Sequence, residues 1–374
     1  MGLKKLRILQ VVDTLDAGGM EGQLVSLLNR LPEQQFSFHV HCLRHGGFHA
    51  SRLRPGIGLS EGNKPLGLRH EPLWQLHRLL RQPWDLCHSH NWAALLYAQG
   101  ATLGGRRVPI LHGEHAQCSA AELKPLRRWL RARLYRGCQA VHTVSHEQRH
   151  QWLAHGLGHR NLLTLQNGVD TQRFTPGDRV AARARLGLPQ EAKIIGMVAR
   201  FGEHKRHLEV IEAFHHIHQQ LPEAHLLLVG DGGPRRAAVH AAAKASSQAR
   251  QIHLVGLQSE MPAWYQAMDL LVVASLNEGL SNATLEAMSC GVVVLSHEVC
   301  GAHEALGKDE AGWVREMKLV DDIASQILKF FGNPRDWQTD MARAARQRAV
   351  SRFSWQAMAE AYAEAFTRFA TNRP

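Results

Sequence analysis

Short β-branched runs separated by helical stretches recur along the whole chain, and the recurrence starts twice. "RILQVV", "FSFHVHCL", "DLCHSH", "VPILHG", "AVHTVS" and "LLTLQN" come first; "AKIIGMV", "HLLLVG", "QIHLVG", "DLLVVAS" and "VVVLS" follow residue 190. Strands this short, alternating with helices, call for parallel sheets with crossover helices. Residues 7–31 read as strand, "DTLDAGG" loop and the helix "EGQLVSLLNRL"; residues 193–217 read as strand, "ARFGEHKR" loop and the helix "LEVIEAFHHI". Each is the opening unit of a doubly wound α/β sheet, in which ligands sit beyond the carboxyl ends of the strands. The turn-rich stretch "NGVDTQRFTPGDR", 167–179, separates the two. The expected division is a Rossmann-like domain over 1–172, a second over 173–350, and an amphipathic helix over 351–374 that packs back on the first.

Composition narrows the function. A length of 374 residues with 44% hydrophobic and 21% charged content suits two ordinary globular domains. No apolar run approaches the roughly 18 residues that a membrane span needs. The start, "MGLKKLRILQVVD", is cut short by Asp13 and has no small-residue cleavage site. The six cysteines form no CxxC pair, which reads as free thiols in a cytoplasmic protein. A net charge of +11 asks for an anionic partner: a phosphate-bearing substrate, a membrane surface or nucleic acid. Nucleic acid fits poorly, because the basic residues are dispersed and only 6% of residues are aromatic.

The most informative stretch is "SLNEGLSNATLEAMSCGVVVLS", residues 275–296. Ser281 or Asn282 can cap a helix that Gly291 ends, so free N–H groups face the carboxyl edge of the sheet and form an anion site. Glu278 precedes that helix and Glu286 lies about one turn in. Singly, each reads as a solvated or dipole-favoured acid. Together with Gly279, Ser281 and Asn282 they suit a polyhydroxylated ligand, since carboxylates accept from pairs of hydroxyls. Arg200 and Lys205 lie in the loop after the second domain's first strand, at the same sheet edge. A solvated basic loop would explain them; so would a diphosphate, met by a guanidinium fork and a point charge.

"ARFGEHK" resembles the R-x4-K motif, and "EGLSNATLE" the E-x7-E motif, of family 4 of the retaining nucleotide-sugar glycosyltransferases, which have the GT-B fold. The likeness also covers "DAGGMEGQL", "HTVSHEQ", "QNGVDTQRF", "LLLVGDGG", "AWYQAMDLLVVAS" and the terminal "FSW". It extends most closely to the branch that builds bacterial exopolysaccharide, lipopolysaccharide or other surface glycans. The resemblance implies two Rossmann-like domains facing across a cleft. It implies that Glu286 holds the ribose of the nucleotide and Glu278 the transferred sugar. Arg200 and Lys205 would bind the diphosphate, and Gly279, Leu280, Ser281 and Asn282 would complete the donor site. Gly18 and Gly19 would let the first domain's backbone approach the phosphate or sugar, although an ordinary tight turn explains them equally well. His115 would project toward the reacting carbon, with His112 as a close rival. Two positions depart from the family: Val293 and His303 stand where proline is usual.

Two further features bear on metals and membranes. His88 and His90 in "CHSHNW" have the i, i+2 spacing of metal ligands, yet no nearby Cys or carboxylate completes a set. No Asp-x-Asp occurs, so the expectation is a metal-independent, cofactor-free enzyme with a nucleotide sugar as co-substrate. In "ELKPLRRWLRARLYR", residues 122–136, Leu123, Leu126, Leu130 and Leu134 form a stripe among Arg127, Arg128, Arg131 and Arg133. Such a helix can lie peripherally on an anionic bilayer or simply cover the sheet. The reading is therefore a retaining transferase moving a hexose or similar sugar from a UDP- or GDP-sugar to a glycan or lipid-linked acceptor. The alternatives are a nucleotide-sugar epimerase of the same architecture and a basic nucleic-acid-binding module.

Overall fold

A computed structural model describes residues 4–371 apart from 66, 68, 103–107 and 119–121. The chain divides into two compact units, 1–167 with 356–374, and 168–355. The divide falls within the turn-rich stretch, a few residues before the expected one.

Unit 1 is built on seven parallel strands: β1 (Leu6–Val12), β2 (Phe36–Cys42), β3 (Gly58–Glu61), β4 (Leu86–His90), β5 (Ile110–Glu114), β6 (Ala140–Thr143) and β7 (Leu162–Thr164). Their order is β3-β2-β1-β4-β5-β6-β7, so the winding reverses between β1 and β4. Helices α1 (Gly19–Arg30), α2 (Glu71–Leu80), α3 (Asn91–Ala101), α4 (Pro125–Tyr135) and α5 (His146–Ala154) make the connections. β4 and β5 are buried along their whole lengths, as strands covered on both faces must be.

Unit 2 repeats the plan with six strands: β8 (Lys193–Val198), β9 (Ala224–Val229), β10 (Ile252–Leu254), β11 (Leu270–Val273), β12 (Val293–His297) and β13 (Trp313–Arg315). The order β10-β9-β8-β11-β12-β13 places its reversal between β8 and β11. Its helices are α6 (Arg179–Leu186), α7 (His207–Gln220), α8 (Arg236–Ala245), α9 (Pro262–Ala267), α10 (Asn282–Ser289), α11 (Ala302–Leu306), α12 (Val320–Gly332) and α13 (Arg335–Arg352). An apolar layer of Ile195, Met197, Phe214, Leu226, Val272 and Leu295 fills one side of this sheet.

The last helix, α14 (Trp355–Thr371), packs within unit 1. Its Phe366 ring lies 6.1 and 6.2 Å from those of Phe36 and Phe38, and its Tyr362 ring sits against His88 and His142. Both sheets are thus doubly wound and parallel, the Rossmann-like pair that the alternating pattern requires.

Candidate functional site

In unit 2 the loops at the reversal are held together by their backbones. Gly230 and Gly233 have φ of 136° and 86°, which disfavours side chains. A Cβ at Gly230 would stand 2.1 Å from the Ala199 carbonyl oxygen, and one at Gly233 2.6 Å from that of Phe201. The "GDGG" turn therefore lies directly on residues 199–201, with Phe201 N–H donating to the Gly232 carbonyl at 3.0 Å. This fixes the loop that carries Arg200, whose side chain is exposed. Downstream, Arg206 adopts a left-handed backbone, and its buried guanidinium donates to the Met317 and Lys318 carbonyls. The Leu276 N–H then donates to the His204 carbonyl at 2.8 Å, bringing the two loops side by side.

The consequence is a direct ion pair between the two sequence motifs. Lys205 Nζ lies 2.5 Å from Glu278 Oε1, with side chains 20% and 15% exposed. His204 shares this neighbourhood. Burial lowers its pKa first, the Lys205 and Arg200 charges lower it further, and Glu278 works the other way. Arg200, Lys205 and Glu278 are thus all within electrostatic reach of one imidazole.

The acidic helix forms as its caps dictate. The Ser281 side chain accepts from the Thr284 N–H at 3.3 Å, closing the first turn of α10. Leu280 is buried and anchors the preceding loop. Glu286 is half-buried, and its Oε2 accepts from the Tyr265 hydroxyl at 2.7 Å. Burial, then Glu286, pushes the Tyr265 pKa well above its usual value, so the phenol stays a donor. Gly301, with φ of 76°, packs on this loop: a Cβ there would lie 2.2 Å from the Gly279 carbonyl oxygen. The two departures from proline are accommodated nearby. Val293 is a buried first residue of β12, and His303 is exposed, 3.5 Å from Glu298.

In unit 1, Gly18 caps α1 with an extended backbone that any residue could adopt, so its smallness matters for another reason. A Cβ there would sit 2.1 Å from Glu21 Oε2, because the Glu21 carboxylate folds back beside the start of the helix that Gly19 begins. The carboxyl ends of β4, β5 and β6 carry a nest of histidines. His115 Nε2 lies 2.9 Å from His90 Nδ1, and His90 Nε2 lies 3.0 Å from Gln10 Oε1. His88 and His142 meet at 3.0 Å. Burial pushes the His115 pKa down to about 4; Glu114 opposes this and His112 adds to it. Burial first, then the neighbouring imidazoles, also holds His88, His90 and His142 well below the ordinary histidine value. His112 is committed elsewhere, between Ser89 at 2.9 Å and Glu114 at 3.0 Å, and it is fully buried. Among the described residues, no group of three His, Cys, Asp or Glu is arranged to hold a metal.

The basic helix differs from the expected stripe. Arg131 is 2% exposed, with its guanidinium centre 4.9 and 4.8 Å from the Trp92 and Trp152 rings. It is 2.8 Å from Glu122 and 3.6 Å from Glu114. Burial alone would raise the Glu114 pKa, yet Arg131 and the His112 hydrogen bond hold it at about 2. Leu126, expected among the apolar stripe, is instead 76% exposed, and Trp129 is 64% exposed. Leu123 and Leu134 still pack against the core as the stripe predicts, and Arg131 joins them inside beside the Glu114 carboxylate.

Of the expected residues, Lys205 touches Glu278, and Arg200 shares their electrostatic surroundings. Glu286 sits one turn into the helix that follows, while Gly18, Gly19 and His115 belong to the other unit. Tyr265, His204, Arg206, Gln10 and Asn91 were not anticipated. Their roles depend on partners far off in the chain.

Residues 17–173 match the family described as Glycosyltransferase Family 4, and residues 178–348 the one described as Glycosyl transferases group 1. The D-inositol 3-phosphate glycosyltransferase 2 of Catenulispora acidiphila is 26% identical, covering 95% of this chain and 91% of the relative. A D-inositol 3-phosphate glycosyltransferase of Streptomyces bingchenggensis is 27% identical over 94% of this chain and 86% of its own. The structure of Anabaena HepE in complex with UDP and glucose superposes with a TM-score of 0.85 at 19% identity, covering 97% of this chain and 99% of that one. Sucrose-phosphate synthase from Thermosynechococcus elongatus gives 0.81 at 18%, with 97% and 99% covered. The chain thus consists of a family 4-like and a group 1 glycosyltransferase domain in the GT-B fold.

Proposed function

We propose that this glycosyltransferase moves a hexose or similar sugar from a UDP- or GDP-sugar to a glycan or lipid-linked acceptor, retaining the anomeric configuration, in the synthesis of a cell-surface polysaccharide. The observation that carries the donor side is the contact of Lys205 with Glu278 beside the capped helix that bears Glu286. A diphosphate needs fixed cations and N–H donors; ribose and sugar hydroxyls need carboxylate acceptors. This edge of unit 2 supplies both. UDP rather than GDP is favoured by the HepE complexes, which contain UDP or UDP-glucose. The relatives' names point to phosphorylated polyols as one acceptor class to assay.

In the proposed mechanism Glu286 holds the ribose and Glu278 the sugar. Arg200, Lys205 and the α10 N-terminus take up the charge that develops on the leaving diphosphate, with no metal needed. The bond from the anomeric carbon to the phosphate oxygen breaks through an oxocarbenium-like state. The acceptor hydroxyl adds on the same face and gives its proton to the departing phosphate. His115 serves the reacting sugar.

Exposed Leu126 and Trp129, flanked by exposed Lys124, Arg127, Arg128 and Arg133, support a peripheral seat on an anionic bilayer. No described helix is long and apolar enough to cross a membrane. Sedimentation with phosphatidylglycerol vesicles, but not with phosphatidylcholine vesicles, and its loss in Trp129→Glu would support that seat; equal sedimentation with both lipids would reject it.

Thermal-shift screening against UDP-, GDP-, ADP- and CDP-sugars tests the donor site. One nucleotide is expected to stabilise strongly, and Glu286→Ala or Lys205→Ala to diminish the shift. Stabilisation by none, or an undiminished shift in both substitutions, rejects the site. Incubation with donor alone separates transferase from epimerase, because only the epimerase releases an altered sugar nucleotide without acceptor.

A further inference from the structure

The hydrogen bonds of the histidine nest determine a direction. The Gln10 amide turns its oxygen to His90 Nε2 at 3.0 Å and leaves its own buried nitrogen without a partner. In this orientation His90 Nε2 carries the proton, and the reversed amide would run every bond the other way. A neutral ring then leaves His90 Nδ1 as an acceptor. His115 Nε2, 2.9 Å from it, must therefore donate, and the lone pair of His115 falls on Nδ1. Gln10 is fully buried and His90 nearly so, whereas His115 is half-buried, so the chain of bonds runs outward from the sheet.

The surroundings are built to keep this arrangement. Asn91, next to His90, has a φ of 63°, a strained value for a residue with a Cβ. That conformation lets its side-chain oxygen accept from the His115 backbone N–H at 3.3 Å. Adjacent residues of one turn thus hold both the ring and the main chain of His115. Gly113 leaves the necessary room: a Cβ there would lie 2.4 Å from His142 Nε2 and 2.9 Å from His115 Nε2. The titratable groups facing the pair are His88, His112, His142 and Glu114. Arg131 and His112 hold the charge of Glu114.

We infer that His90, anchored by Gln10, is a positioning residue that fixes His115 as the Nε2–H tautomer and presents a bare Nδ1 to a hydroxyl of the reacting sugar. This deepens the proposed function and rests on it for the identity of that hydroxyl. His115 then recognises its ligand as an acceptor. A sugar lacking the matching hydroxyl would leave the lone pair unpaired, so the device also selects among sugars.

The test has two independent readouts. In full-length protein labelled with 15N-histidine, at neutral pH, the His115 resonances are expected to report protonated Nε2 and bare Nδ1. His90→Phe is expected to give a mixture of tautomers and to lower kcat about tenfold to a hundredfold, with UDP affinity unchanged. His90→Asn, whose amide oxygen can accept from His115 Nε2, is expected to recover most of the rate. Gln10→Met gives the same tautomer test should His90→Phe fail to fold. A wild-type His115 protonated at Nδ1, or an unaltered tautomer in both His90→Phe and Gln10→Met, overturns the inference. Full activity in His115→Ala would instead overturn the role assigned to His115 in the reaction, leaving the tautomer result standing.

Discussion

The two units share a winding pattern and carry polar clusters at the same edge of their sheets, yet the clusters differ in kind. In unit 2 the groups are formally charged and partly open to solvent: Arg200 is exposed and Lys205 pairs with Glu278. In unit 1 the groups around His115 are buried imidazoles kept neutral, and the charged members, Glu114 and Arg131, are buried as well and paired with each other. The difference teaches a division of labour. A diphosphate is recognised by permanent charge, which costs little to keep at a wet surface. A hydroxyl beside a reacting carbon is better met by neutral acceptors whose orientation is fixed, because a charge there would have to be desolvated.

The comparison predicts that removing the buried cation of unit 1 costs stability, whereas removing Lys205 from unit 2 costs ligand affinity. Arg131→Ala leaves Glu114 buried without its charge partner and should cost about 3–5 kcal/mol of unfolding free energy. Denaturant melts would show it; a loss near zero would mean that Glu114 is not held as described. Acid should act on unit 1 in the same direction. His115 has its pKa depressed from 6.5 to about 4, and burial holds His88, His90 and His142 well below 6.5 too. The unfolded chain then binds more protons than the folded one below pH 6.5. Stability contributed by these rings is complete above 6.5 and is lost as the pH falls toward 4. Glu114, held at about 2, adds to the loss only below its ordinary range of about 4.5. Calorimetry between pH 7.5 and 4.5 should therefore show a falling midpoint before the carboxylates titrate.

Next in size is the effect on chemistry. His115→Ala should lower kcat by about a hundredfold while the thermal shift given by UDP persists, since UDP is assigned to unit 2. Loss of both together would break the assignment of separate tasks to the two units.

Smaller again is the pair Lys205→Ala and Glu278→Gln. The first removes a charge-assisted contact to the diphosphate and should weaken UDP binding about tenfold. The second releases Lys205 from its partner, so UDP binding should hold or tighten while transfer falls, because the sugar hydroxyls lose an acceptor. Titration calorimetry with UDP and a transfer assay read the two effects separately. Weakened UDP binding in Glu278→Gln would show that the carboxylate positions Lys205 rather than restraining it.

What was legible in the sequence follows from how far apart the interacting residues lie. The β–loop–α openings are local, and so both sheets and the reversal loops could be read. So could the capped helix bearing Glu286, because Ser281 and the residues it caps are neighbours. The contact of Lys205 with Glu278 spans 73 positions, and only the shared sheet edge suggested it. Arg131 reads as one more surface arginine; its burial is decided by Trp92, Trp152 and Glu114, none of them on its helix. β3 and β13 are not legible because "GLSE" and "WVR" lack the apolar run that marks the comparably short β7 and β10. The histidine relay was hidden for the same reason. Gln10 and His90 are 80 residues apart, and nothing around Asn91 announces a left-handed backbone.

Tyr265 gives the finest test of the contrast. Its motif, "AWYQAMD", suggests a packed aromatic, and the ring is indeed fully buried. The hydroxyl nevertheless donates to Glu286 Oε2 at 2.7 Å, the carboxylate proposed to hold the ribose. Tyr265→Phe keeps the packing and removes only that donor. A hydrogen bond to a charged group contributes about 1.5–3 kcal/mol, but Glu286 is half-buried, so solvent would replace part of it. UDP affinity should fall about threefold to tenfold, with kcat nearly unchanged. A fall in kcat at unaltered UDP affinity would place Glu286 at the reacting sugar instead of the ribose, and the two acids of the motif would exchange roles.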